Sequence, residues 1–187
     1  MDWIEPQSFY SYFSEIPNSF ILESKGGGPE KIARYSFIGL SPFLKIVAKN
    51  GVVSVNGCIY KENPFFVLRK TIKEAKSNQY YKGAWGYFGY DLASSIENLS
   101  MKNIDDINMP DMWLMFPKTL VVFDHKLRKI EVLGDIPRLK NKPKISKKIK
   151  KGSIKSNFTK KAYIEMVKAA KEYIRKGDIY QANLSQR

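Results

Sequence analysis

Two small sets of polar residues in this sequence have types and spacings suited to holding a ligand. The first is Ser24, followed beyond a glycine-rich stretch by Arg34 and Tyr35. A hydroxyl at a strand end can accept from an ammonium, a guanidinium can grip a carboxylate through two hydrogen bonds, and a phenol ring can flank an aromatic side chain. Such a trio would suit a zwitterionic amino acid. The same residue types also allow a plainer reading, in which Ser24 satisfies a loop backbone and Arg34 is a surface charge. The second set is Gln181, Asn183 and Ser185. Alternate residues of a strand share a face, so the three would form one polar row. That row is either a site-facing strand or the wet face of an edge strand.

The commoner catalytic arrangements find no support. His125 is the only histidine and falls in an expected turn, so a surface position is expected for it. Cys58 has no second cysteine to form a disulfide or a zinc site, which fits a reducing, cytoplasmic compartment. Lys25-Gly26-Gly27-Gly28-Pro29 lacks the Gly-Lys-Ser/Thr ending of a phosphate-cradling loop and reads as a plain flexible loop. Asp105, Asp106 and Asp111 lack metal-ligand spacing and read as a solvated loop. Glu165 and Glu172 read as surface residues of a helix.

The elements that would position these residues follow from periodicity. Residues 19–24 read as a short strand. Arg34 to Ile38 and Phe43 to Lys49 alternate like two further strands. Asn50-Gly51 and Asn56-Gly57 are hairpin signals, so an antiparallel meander is expected from about Phe43 to Tyr60. Asn63-Pro64 caps a helix over 64–77, with Phe65, Leu68, Ile72 and Ala75 on one face. Gly83 to Tyr90 reads as a buried strand whose glycines permit close backbone approach. Asp91 is expected to cap a short helix running to Glu97. Trp113 to Phe123 and Lys129 to Leu133 form a hairpin around Asp124-His125-Lys126. Thr159 caps a helix with Tyr163, Val167, Ala170 and Ile174 on one face, and Gly177 stops it. The fold class is α+β: a mainly antiparallel sheet with a few flanking helices.

The 187 residues are 43% hydrophobic, enough for one full core and part of a second unit. The net charge of +14 first suggests nucleic acid. Most of it resides in nine cations between Arg138 and Lys155, a stretch without an acid. They are nearly all lysine, whereas base reading and bidentate phosphate grips favour arginine. Residues 137–157 are therefore read as a basic linker between a domain over 1–136 and a second unit over 158–187, with no nucleic acid and no membrane as partner. A nucleic-acid arm is the competing reading, which steep salt dependence of binding would reveal. No signal peptide or membrane span is evident.

Several stretches, in order, resemble the chorismate-utilising enzymes, which include the large subunits of anthranilate synthase and aminodeoxychorismate synthase. Ile21-Leu22-Glu23-Ser24 is similar to the family's effector-site strand. Gly83-Ala84-Trp85-Gly86-Tyr87-Phe88-Gly89-Tyr90-Asp91-Leu92 resembles its Gly-Tyr-Asp-Leu segment, and Met109-Pro110-Asp111-Met112-Trp113 its Leu-Pro-Asp-Met segment. Gly177-Asp178-Ile179-Tyr180-Gln181-Ala182-Asn183-Leu184-Ser185-Gln186-Arg187 resembles the start of its catalytic domain. The resemblance implies amination of chorismate, with Mg²⁺ as cofactor and ammonia from a glutamine amidotransferase subunit. It also implies a tryptophan effector site to which Ser24, Arg34 and Tyr35 contribute. Asn183 and Gln186 match the aminodeoxychorismate pattern, which serves 4-aminobenzoate and folate synthesis. Anthranilate synthase, or a non-catalytic tryptophan-binding or docking module, remains the alternative. The family's acid/base His, its Mg²⁺-binding glutamates and its Pro-Ile-Lys/Ala-Gly-Thr motif are not among these 187 residues. No catalytic residue is therefore assigned, and this chain alone is expected to have no synthase activity. The apolar face of the last helix is expected to be exposed or to promote self-association.

Overall fold

Hairpin signals and helix caps are local, and they fix where most elements of the computed structural model begin and end. It describes residues 2–24, 29–97, 99, 105–138, 152–153 and 155–186. The chain divides into two compact units, Met1–Lys144 and Ile145–Arg187.

The first unit is an antiparallel sheet with short helices. Helix α1 (Pro6–Ser11) starts on a proline, where the missing N–H costs nothing. It is followed by β1 (Phe20–Leu22), the single-turn α2 (Glu30–Ala33) and the long β2 (Tyr35–Lys49). Asn50-Gly51 and Asn56-Gly57 adopt positive φ and link β2 to β3 (Val52–Val55) and β4 (Cys58–Tyr60). The expected meander is thus observed. Helix α3 (Pro64–Ala75) starts where Asn63 accepts from the Phe65 amide. Strand β5 (Trp85–Phe88) and a 3-10 helix (Tyr90–Ser95) lead to β6 (Met112–Asp124) and β7 (Lys129–Leu133). The sheet has seven strands, with the path β4-β3-β2-β6-β5, β1 pairing β2 and β7 pairing β6.

Three expectations need correction. The two strands expected at 34–38 and 43–49 are one. Pro42 faces Pro117 across the β2–β6 pair, and the register shifts between Pro42 and Leu44. A proline cannot donate to the ladder, so this point becomes a bulge rather than a turn. β5 is not buried: it is an edge strand, and Phe88 is exposed. Its glycines behave as expected, since a Cβ on Gly86 would overlap the Trp113 carbonyl. Finally, Gly89 occupies the cap position of the 3-10 helix, and Asp91 lies in its first turn.

Two hydrophobic clusters hold this unit. Ile46, Ala48, Val53, Leu114 and Phe116 pack with Val67, Leu68 and Ala75 of α3. Ile38, Leu40, Val121 and Phe123 pack with Phe9 of α1 and with Phe13. The second unit is the helix α4 (Lys160–Lys176). Thr159 Oγ1 accepts from the Ala162 amide, and Gly177 ends the helix at φ 81°. Glu165 and Glu172 pair with Lys168 and Arg175 on its surface, as expected. The glycine-rich loop at 25–28 and most of the basic linker lie outside the described residues.

Candidate functional site

A shallow cleft of about 390 Å³ lies beside β1 and the start of β2. Leu22, Ser24, Arg34, Tyr35, Phe37 and Trp85 line most of it. The structure therefore brings Ser24, Arg34 and Tyr35 together, though ten residues separate Ser24 from Arg34. The reason is pairing. β1 lies antiparallel to β2, with Leu22 opposite Phe37, so the two strand ends share one edge. Aromatic packing forms the apolar part. The Trp85 ring, from β5, stacks on Phe20 at 5.6 Å and meets Phe37 at 5.0 Å between centroids.

Polar geometry around the cleft is tightly wired. Arg34 donates from Nε (3.0 Å) and from a terminal nitrogen (2.6 Å) to Asp124 Oδ2, while its guanidinium lies 4.9 Å from the Tyr35 ring centre. The Arg34 hydrogen bonds hold the Asp124 carboxyl down at about 2, helped by the Leu127 and Lys126 amides that donate to it. The Ser24 amide donates to Ser36 Oγ at 2.9 Å. Arg34 is thus neither a free ligand grip nor a simple surface charge; an aspartate orients it. A concave, largely apolar site with a few fixed polar groups is what recognition of a small amphipathic molecule requires.

Sequence reading missed the groups behind this cleft. His125 is not a plain surface residue. Its Nε2 lies 2.7 Å from Ser36 Oγ, and its ring meets Trp3 edge-on at 5.5 Å. Turn position gave no hint of this, because β6 carries His125 to Ser36 across 89 residues of chain. Asp105 lies in an exposed loop, as expected, but it and Asp111 are not merely solvated. Lys49 Nζ bonds Asp105 and the Met109 carbonyl (2.7 Å) and lies 3.5 Å from Asp111. Asp111 also accepts from the Asn50 amide, pinning the β2–β3 turn. Mutual attraction raises the Lys49 pKa and lowers that of Asp105, through their hydrogen bond first. Asp106 has a partner too.

The polar row at the chain's end does not form a strand. Residues 181–186 have no ladder partner, and Gln181, Asn183 and Ser185 are exposed. A strand is completed only by hydrogen bonds to a neighbour, which alternation cannot supply. What holds this segment is Tyr163, whose hydroxyl donates to the Leu184 carbonyl at 3.0 Å. Among the described residues, no cluster of three or more His, Cys, Asp or Glu could hold a metal ion. No helix among them is long and apolar enough to cross a membrane.

A family model described as chorismate binding enzyme matches residues 17–187. Anthranilate synthase component 1 of Acetivibrio thermocellus is 33% identical, aligned over 100% of this chain and 46% of its own length. Aminodeoxychorismate synthase component 1 of Bacillus subtilis (strain 168) is 27% identical, over 97% of this chain and 45% of its own. The crystal structure of anthranilate synthase component I from Streptococcus pneumoniae TIGR4 superposes with a TM-score of 0.59 at 25% identity, covering 94% of this chain and 44% of that one. The chain spans less than half the length of these relatives.

Proposed function

Since the chain belongs to the chorismate-binding enzyme family, we propose that it is the N-terminal part of a component I that aminates chorismate. On this reading residues 1–136 form the N-terminal domain, and residues from 158 begin the chorismate-binding domain. A glutamine amidotransferase supplies ammonia, and the reaction takes place in the cytoplasm. The family match over residues 17–187 carries the proposal. Mg²⁺ would polarise the reacting chorismate. Among the described residues no group of three or more His, Cys, Asp or Glu could hold it.

The cleft at Ser24 would be an effector site for tryptophan. The aromatic wall formed by Trp85, Phe37 and Tyr35 would take the indole, and Arg34, held by Asp124, would face the carboxylate. Calorimetric titration of L-tryptophan into this chain and its Ser24→Ala variant tests the assignment. Ser24 has a role if the variant binds several-fold more weakly; equal heats return it to the loop.

Of the two branches, 4-amino-4-deoxychorismate formation is favoured by Asn183 and Gln186 in the closing segment. A second reading, anthranilate formation, is favoured by the higher identity to an anthranilate synthase, 33% against 27%. Incubating the full-length protein with chorismate, ammonia and Mg²⁺ separates them. Accumulation of anthranilate would overturn the first reading. This 187-residue chain alone should give neither product.

A further inference from the structure

Two hydrogen-bonded arms reach the candidate cleft from one turn, the Asp124–Arg128 connection between β6 and β7. In the first arm, the Ser24 amide donates to Ser36 Oγ at 2.9 Å, and Ser36 Oγ lies 2.7 Å from His125 Nε2. Ser36 is fully buried. A serine hydroxyl has one proton to give and two lone pairs to accept with. With the Ser24 amide on one lone pair, Ser36 Oγ keeps a proton and a second lone pair for the His125 contact, so either neutral tautomer of the imidazole can complete it. In the second arm, Asp124 accepts twice from Arg34, and the Lys126 and Leu127 amides hold its other oxygen at 3.0 Å. The His125 amide donates to the Arg34 carbonyl at 2.9 Å, tying the arms together. Trp3 meets the His125 ring edge-on, and Arg128 lies 4.6 Å from the Trp3 ring centre.

We infer that His125 is a positioning residue: acting through Ser36 it fixes Ser24, while adjacent Asp124 fixes Arg34, so that one turn sets the spacing between the two polar ends of the amino-acid cleft. This rests on the tryptophan-site reading above. Neither His125 nor Ser36 lines the cleft, so each acts only through the residue it holds. Because its amide is committed to Ser36, Ser24 offers its hydroxyl and carbonyl to a ligand.

The test uses the 187-residue chain with Ser36→Ala, His125→Ala and His125→Gln. The readouts are amide exchange at Ser24 by NMR and calorimetric titration of L-tryptophan. Loss of one buried hydrogen bond predicts about tenfold faster exchange and about tenfold weaker binding in Ser36→Ala and His125→Ala. His125→Gln offers an amide oxygen to the Ser36 hydroxyl and should restore both. The inference fails if Ser24 exchange is unchanged in His125→Ala, or if His125→Gln is as impaired as His125→Ala. It fails also if exchange accelerates while tryptophan affinity stays constant. If the unaltered chain binds no tryptophan, the effector-site reading fails, and the exchange data alone decide whether His125 orders Ser24. If Ser36→Ala does not fold, the two His125 variants decide the outcome.

Discussion

In the sheet unit, Ile46, Val53, Phe116 and Phe123 are withdrawn entirely from solvent. In α4, an amphipathic helix with both ends capped, no residue is buried. The contrast separates two sources of order. A helix bonds its interior backbone to itself, so caps and period mark where it runs, although packing of its apolar face supplies most of its stability. The sheet satisfies its backbone only across strands, and its order is inseparable from its core. Met112 to Asp124 exists as β6 because β2 lies on one side and β5 and β7 on the other. Residues 181–186 alternate polar and apolar residues and, with no ladder, are not a strand.

This contrast can be broken most forcefully at Phe116. Its truncation to alanine should cost the sheet unit about 3–5 kcal/mol in denaturant unfolding. Amide exchange in α4, where no residue is buried, should be unchanged by the substitution. Acceleration there would mean that the helix depends on the sheet's core. Gly86→Ala should cost less, about 1–3 kcal/mol, because its backbone sits at φ 154° and a Cβ would overlap the Trp113 carbonyl. Exchange should accelerate at the β5–β6 pairing first; uniform acceleration would show that the edge strand is not separable.

Acid should act on the sheet unit through Asp124. Its carboxyl is lowered in the folded state from 3.8 to about 2. The stabilisation from this group is therefore complete above the ordinary carboxylate value and fades as pH falls through about 2. Midpoints of urea unfolding between pH 5 and 2 should decline more steeply in the unaltered chain than in Asp124→Asn. Parallel declines would remove the Arg34–Asp124 pair as the cause. In the helical unit Thr159→Ala should cost about 1 kcal/mol of helix stability, visible as faster exchange in the first turn. The smallest effect is expected at Glu172→Gln, where an exposed i,i+3 pair with Arg175 contributes about 0.3–0.5 kcal/mol.

The two units also differ in how readable they were. α3 and α4 were legible to within about a turn, as were both Asn-Gly hairpins and the β6–β7 hairpin, because each signal lies within a few residues. The α+β class followed from the same signals. Three residues of the candidate cleft, Ser24, Arg34 and Tyr35, could be picked out by type. Phe37 and Trp85 of its aromatic wall, and the groups behind it, could not. Trp85 reaches Phe37 from a different strand, and Asp124 and His125 reach Arg34 and Ser36 across about 90 residues.

By itself, the sequence, in which α1 and α2 were not legible, determined α3 and α4, the Asn-Gly turns and the membership of a family whose motifs it carries in order. These depend on backbone preferences and hydrogen bonds between near neighbours, or on stretches of residues read directly. The tertiary structure alone decided that Pro42 and Pro117 meet as a bulge within one long strand. It decided that Lys49 gathers Asp105 and Asp111, and that a turn histidine lies behind Ser24. Those outcomes depend on strand pairing, which brings distant residues together at a register that no local pattern encodes.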